Sequence, residues 1–466
     1  MQPDLPPSTP LQDHPDRRTD ERTRKSLRYS VIDGAFSASM IGFGESFFVP
    51  YALLLKANAF QVAVLSALPQ ALGSLIQFFS TALIRLLGSR KRLVVTAALL
   101  QGAMYIPVAF VFFFGAFRVW HLILFTCLYW AFGTVLSPAW NSWMGDLVNE
   151  HRRGQYFGRR SKITGMSTFL SFLAAGYILQ AFGREDRVQY LGFAVIFGLA
   201  FASRMASAFY LSRKYEPSYA VPADEEFTFI QFLREAAHRN YGRFVLYLGL
   251  MNLSVFVAAP FFTPYLLKDL QFSYLTFAVI HAAAIIVKFL SMPVWGMAVD
   301  RFGTRRVLSL AGFLMPVVPV LWLFSHDLAY LIAIQVYSGF IWGGFEIAAF
   351  NFIFDSTSVR KRATCVAYYN VINGMALLIG ALLGSAIVRA HVLFLSPYFM
   401  AFLVSGILRG AATVIFIPLL HEVRTVEPIG YPRLFFKIIS NMPTMGLVYG
   451  LIPFRKKEKE EKATAG

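Results

Sequence analysis

LVVTAALLQGAMYIPVAFVFFF, residues Leu93 to Phe114, contains no acidic or basic side chain. A helix needs about 20 such residues to cross a hydrocarbon core roughly 30 Å thick. Tyr190 to Ala202 and Val307 to Phe324 are equally free of charge. In lipid every backbone N–H and C=O must be paired within the protein, which leaves helices and closed barrels. The ten-residue alternation of barrel strands is absent, so the runs read as helices. Apolar residues make up 56% of the 466 positions and charged residues 15%, against about 25% charged in a soluble domain. An all-α polytopic membrane protein is expected.

Extending the pattern outward gives twelve spans, near 31–55, 60–84, 93–114, 120–145, 162–182, 190–212, 243–267, 272–298, 307–324, 328–354, 364–388 and 397–419. They fall into two six-helix halves, 29–212 and 243–420. The polar residues 1–28 are expected to be disordered. Linker 213–242 carries Phe229, Phe232, Leu233 and Ala236 at helical spacing beside Arg234 and Arg239, an amphipathic surface helix. Residues 421–466 form a tail, with Leu434 to Leu451 apolar enough for an interfacial segment.

Lys and Arg gather in the N-terminus and in 85–92, 147–162, 213–243, 301–306 and 360–362. The opposite side has only Lys56, Arg118, Arg184, Arg187, Lys268 and Arg389. Positive loops stay inside, so both termini and the linker are expected to be cytoplasmic, in an inner membrane. The net charge of +17 then reflects topology and anionic lipid rather than nucleic acid, because the basic residues are scattered over short loops. Cys127 and Cys365 are the only cysteines, and they suggest neither a disulfide nor a metal site; no cofactor is expected.

Four features recur in order across the halves. Phe47-Phe48-Val49-Pro50-Tyr51 returns as Phe261-Phe262-Thr263-Pro264-Tyr265. Gly88-Ser89-Arg90-Lys91-Arg92-Leu93 returns as Gly303-Thr304-Arg305-Arg306-Val307-Leu308. Asp146 with Arg153-Gly154 returns as Asp355 with Arg362-Ala363, and Arg204 as Arg409. Four matches in register indicate duplication, and parallel halves of this kind hold a solute site between them near mid-membrane.

Gly296-Met297-Ala298-Val299-Asp300-Arg301-Phe302-Gly303-Thr304-Arg305-Arg306 resembles the signature loop of the major facilitator superfamily, Gly-x-x-x-Asp-Arg-x-Gly-x-basic-basic. The first copy is degraded, with Arg85 and Leu86 where Asp300 and Arg301 stand. Segment 141–160, with Asp146, Arg153, Gly154 and Phe157-Gly158, resembles the helix 4–5 loop of bacterial members. The resemblance covers residues 30–420 and implies the major facilitator fold, with spans 1, 4, 7 and 10 around a cavity. It also implies that Gly296, Asp300, Arg301, Gly303, Arg305 and Arg306, with Asp146, Arg153, Asp355 and Arg362, form a cytoplasmic gate. Spans 6 and 12 would stand outside the cavity, leaving Arg204 and Arg409 as buried structural residues. Two departures matter. Tyr129 stands four residues before Gly133, where proton-driven members have Arg, and span 5 lacks the Gly-Pro-x-x-Gly-Gly run of drug exporters.

Ionisable groups inside a membrane are candidates for function by default. Gln335, Trp342 and Glu346 share one face of span 10. Glu45 lies deep in span 1. Lys288 stands near the midplane of span 8, on one face with His281, Ala284 and Ser291, and needs Glu346 or Glu45 as partner. Asp33, at the start of span 1, suits the positive end of the helix dipole and is the further candidate on the proton path. The leading reading is a monomeric secondary transporter of a small solute, working by alternating access and coupled to protons at Glu346. A transport-inactive receptor or scaffold and a membrane-embedded enzyme are the alternatives. No Ser/His/Asp set, His-x-x-x-His pair or phosphate loop supports the enzyme. Solute and direction stay open: charges of both signs suit a zwitterion or polar metabolite, and the aromatic content an amphipathic compound.

The resemblance implies that the loop's Asp meets the cytoplasmic start of a helix in the other half; by symmetry Asp300 should face the N-terminus of span 5 near Ser161, a contact Arg85 cannot mirror at span 11. Asp300→Ala should therefore favour the inward-open state and Arg85→Ala should matter less, read as reactivity of cysteines placed in the cavity. Equal effects would remove the asymmetry.

Overall fold

The computed structural model describes residues 17–149, 153–183, 186–217, 234, 239–356, 362–390, 396–423 and 426–440. Among them the chain is helical throughout, and eleven helices are long and apolar enough to cross a membrane. Spans 2 to 6 are Ala59–Leu87, Arg90–Phe113, Gly115–Leu147, Arg153–Ala181 and Asp186–Ser212. Spans 7 to 12 are Asn240–Asp269, Tyr274–Phe302, Thr304–Leu321, Leu328–Ser356, Arg362–Ala390 and Pro397–Leu419. Span 1 is interrupted: Arg17–Phe43 leads through a tight turn at Glu45–Phe47 into Phe48–Leu54. No uninterrupted apolar helix results, although the segment occupies the expected place.

Local sequence explains many boundaries. Asn58 opens span 2 in a capping box with Gln61, and Ser89, Ser273 and Ser396 cap spans 3, 8 and 12. Gly88 and Gly303, the matched loop glycines, turn with φ of 66° and 94°, where a side chain would be strained. The first helix begins at Arg17, upstream of the expected start. Tertiary contacts account for this: Tyr215 N donates to Ser26 Oγ at 2.8 Å and Tyr156 Oη to Leu27 O at 3.1 Å. The polar segment is thus held against spans 5 and 6. The expected linker helix lies outside the described residues. In the tail, Tyr431–Ser440 is helical and buries Leu434 and Ile438 against the second half, while Tyr431 and Phe436 are exposed.

The duplication recurs in packing. Phe48 and Tyr51 meet Phe197 of span 6 at centroid distances of 6.1 and 5.1 Å. Phe262 and Tyr265 meet Phe402 of span 12 at 4.4 and 5.7 Å. Each repeat places the same aromatic lock between its first and sixth helices.

The cores differ between the two ends of the bundle. At the end away from the basic loops, residues of both halves merge into one apolar core, with Phe47 and Phe193 alongside Phe277 and Tyr265. Toward the basic end each half keeps its own: Val94, Trp143 and Leu211 in the first, Phe244, Trp295 and Phe352 in the second. The halves are closed together at the far end and separate at the basic end. Small residues allow the closure. A Cβ on Gly176 of span 5 would lie 2.5 Å from Ala278 Cβ and 3.0 Å from Tyr274 O of span 8 at that end, and nearer the middle of the bundle one on Gly374 of span 11 would lie 2.5 Å from Ser74 Oγ of span 2. Lys268 Nζ also donates to Ala57 O across the far end at 3.1 Å.

Gly176→Val should therefore hinder closure at the far end. In a chain lacking Cys127 and Cys365, a cysteine at Thr263 should gain reactivity toward an impermeant reagent applied from that side. Unchanged reactivity would show that the close approach does not hold the end shut.

Candidate functional site

Three cavities line up across the middle of the bundle. The first, about 420 Å³, lies against the first half and is lined by Glu45, Gln70, Gln101 and Tyr129, with Asn370 and Asn373 of span 11. The second, about 540 Å³, lies against the second half, with Lys288, Gln335, Trp342, Glu346 and Arg409 on its wall. A smaller one of about 220 Å³ adjoins both, sharing Glu45 with the first and Phe256, Ala259 and Thr263 with the second. Spans 1, 4, 7 and 10 all contribute.

Helix breaks and small residues shape the walls. Glu45 projects from the turn that interrupts span 1, and Tyr129 Oη donates to its Oε2 at 2.8 Å. Tyr129 is the residue standing where an Arg is expected from the resemblance, so a neutral donor meets the carboxylate. Gly133 makes room on the same helix for the Gln101 amide. Across the chamber, Lys288 Nζ lies 3.1 Å from Glu346 Oε1. Glu346 is thus the partner, not Glu45. The side chains are 27% and 40% exposed, so the pair faces open space. Gly339, Gly343 and Gly344 let span 10 pack directly on Ala284, Ser291 and Trp295 of span 8. His281 lines the same cavity, with Nδ1 3.1 Å from Phe277 O. Asn252 Nδ2 donates to Asn373 Oδ1 at 2.7 Å.

The other candidates lie elsewhere. Asp33 lines none of these three cavities; at the basic end of span 1 its Oδ2 lies 2.7 Å from Lys214 Nζ, with Arg160 Nη2 3.9 Å from Oδ1. Burial pulls the Lys214 ammonium below its ordinary value, and the Asp33 carboxylate acts the other way. Arg204 is buried on Ser37 Oγ and Ser207 Oγ, both at 3.2 Å, and lines none of the three cavities. Arg409, its counterpart, does reach the chamber.

At the basic end each half is tied by a mirrored network. Arg90, fully buried, donates to Asp146 Oδ2 at 2.6 Å and Ser142 Oγ at 2.9 Å. Thr304 Oγ1 donates to Asp355 Oδ2 at 2.9 Å. Lys91 N donates to Glu216 Oε1 at 3.1 Å, and Arg305 N to Glu422 Oε2 at 2.8 Å. Glu216 and Glu422 were not singled out from the sequence; their shared place, just beyond spans 6 and 12, was the available signal. Arg301 Nε pairs with Glu427 Oε2 at 2.9 Å and Arg306 Nη1 donates to Glu427 O at 2.5 Å. Asp300 is exposed at the end of span 8, and a side chain on Gly296 would point into open space. The side chains of Arg153 and Arg362 lie outside the described residues. Among those described, no group of His, Cys, Asp and Glu could hold a metal ion.

A family model described as Major Facilitator Superfamily matches residues 34–257 and 244–452. No curated protein matches the sequence. Among solved structures, a point mutant of the nucleoside transporter NupG is similar with a TM-score of 0.66 at 12% identity, over 86% of this chain and 100% of that one. A D-xylose-proton symporter gives 0.66 at 12% identity, over 88% and 100%. A bacterial homologue of the iron transporter ferroportin, in its inward-facing state, gives 0.60 at 16% identity, over 85% and 98%. At these identities the likeness is one of fold.

The buried Asp33–Lys214 pair and the exposed Arg301–Glu427 pair should differ sharply in weight. Asp33→Asn leaves an ammonium with no exposed side-chain surface short of its carboxylate and should cost about 3–5 kcal/mol. Glu427→Gln breaks a pair with both side chains more than half exposed and should cost about 1 kcal/mol or less. Thermal unfolding in detergent would rank them, and equal shifts would contradict the assignment.

Proposed function

We propose that this chain, which belongs to the major facilitator superfamily, is a proton-coupled secondary transporter that works by alternating access. It is a multi-pass membrane protein of a family of transporters, not of enzymes, and a small-molecule solute follows from that membership. The joined core at the far end and the divided cores at the basic end are what one end state of a rocking cycle requires. With the basic loops in the cytoplasm, this state is open to the inside, both termini are cytoplasmic, and the protein works as a monomer in the cytoplasmic membrane.

The Lys288–Glu346 pair carries the coupling reading, because it is an ion pair on the wall of the solute chamber. Spans 8 and 10 pack through glycines within one half, so rocking of the halves does not separate the two residues. Something arriving in the chamber must break the pair. A proton on Glu346 cancels the attraction and frees the Lys288 ammonium for the solute. Deprotonation restores the pair and drives the solute off. Glu45, held by Tyr129 on the opposite wall, is the second carboxylate able to take part.

Comparing metabolites in cells with and without the chain identifies the solute, and uptake of it into proteoliposomes tests the coupling. Glu346→Gln should abolish accumulation driven by a pH gradient while solute-for-solute exchange persists. If the variant concentrates solute as the parent does, the coupling group is not Glu346. If the parent moves no solute at all, the receptor reading takes over.

A further inference from the structure

The larger cavity carries an unbalanced positive charge. Arg409 is 2% exposed yet stands on the wall of the chamber that holds Lys288 and Glu346. Its Nε donates to Ser405 Oγ at 3.1 Å and its Nη1 to Met315 O at 3.4 Å, both uncharged acceptors. A guanidinium has five N–H donors, so part of its fork is left for another partner. Among the described residues no carboxylate forms an ion pair with it. Lys288 and Glu346 cancel one another at 3.1 Å, so they do not supply the missing charge. Burying a cation without an anion costs several kcal/mol. Rigid surroundings sustain that cost: Gly406 lets span 12 approach Pro316 O and Val320 of span 9. The rest of the wall is mostly apolar and includes the rings of Phe256, Phe262, Trp322 and Trp342.

We infer that the solute is an organic anion with an apolar or aromatic body, and that Arg409 binds its oxyanion group. This rests on the transport reading above and names its substrate class. The guanidinium offers a planar fork that matches carboxylate, sulfonate or phosphate oxygens, and the anion supplies the charge the chamber lacks. The apolar wall accepts the body. Protonation of Glu346 releases Lys288 as a second cation in the same cavity, so the proton and the anion favour each other's binding. Arg204 at the matching place in the first half donates to Ser37 and Ser207 and lines none of the three cavities, so it has no such role.

Binding to the purified full chain tests this, read by tryptophan fluorescence. The probes are benzoate, 2-naphthoate and phenyl phosphate, each against an uncharged and a cationic counterpart of the same body, such as benzamide and benzylamine. The intact chain should prefer at least one anion over its counterparts by roughly tenfold or more, the weight of a charge-assisted hydrogen bond in a buried site. Arg409→Gln should erase that preference, Arg409→Lys should keep part of it, and Arg204→Gln should leave it whole. If Arg409→Gln fails to fold by circular dichroism, the Lys variant decides: a preference identical to the parent's overturns the inference. It is equally overturned if no anion is preferred, or if the preference survives Arg409→Gln. Proteoliposome flux separates the two readings. Flux of the uncharged or cationic probes alone would keep transport and sink the anion assignment, whereas anion binding without flux would keep Arg409 and sink transport.

Discussion

An ionised side chain inside this bundle costs several kcal/mol unless an opposite charge or water meets it, and the placement of its charges follows from that cost. At the basic end Arg90 is buried on Asp146, and Lys214 on Asp33. In the chamber Lys288 is matched by Glu346. Among the charges that line the cavities, Glu45 and Arg409 stand apart from the Lys288–Glu346 pair, because the contacts they make are with neutral groups. The first can be neutralised by a proton and the second by an anionic solute. They line separate cavities, Glu45 the one against the first half and Arg409 the one against the second.

The duplication divides the labour. Each half repeats an aromatic lock at the far end and a carboxylate network at the basic end, so each is rigid in itself. Between the halves the contacts are of another kind: the joined apolar core at the far end, glycines set closely against the facing helices, and a few polar bridges such as Asn370 to Gln77 at 3.2 Å. Ion pairs and charge-assisted hydrogen bonds within halves, with apolar and close small-residue packing between them, suit two bodies that rock about a shared chamber. The repeats have nevertheless diverged where chemistry is needed. Span 1 is interrupted at a carboxylate, Glu45, whereas the matching place in span 7 is Ala259 and that helix loosens only later, at Tyr265–Asp269. The chamber is therefore asymmetric although the scaffold is not.

What the sequence determined by itself is the membrane architecture. Hydrocarbon thickness sets helix length and lipid forbids unpaired backbone, so charge-free runs such as Leu93 to Phe114 locate spans without reference to the rest of the chain. The repeated motifs, read in order, also revealed the two halves, and the loop from Gly296 to Arg306 pointed to the family that the full-length match supports. Site residues were legible in so far as a charge in a span is conspicuous: Glu45, Lys288 and Glu346 were found in this way. Which charge meets which was decided by tertiary structure alone, because a side chain's partner depends on how helices rotate and tilt against each other. That is why Asp33 is met by Lys214, which the sequence did not point to, and why Arg409 reached the chamber while its twin Arg204 did not. Gln70, Gln101, Asn370 and Asn373, polar but uncharged, gave no signal in a sequence where such residues also occur on packed faces. Only the bringing together of spans 2, 3 and 11 with span 1 made them the wall of a cavity.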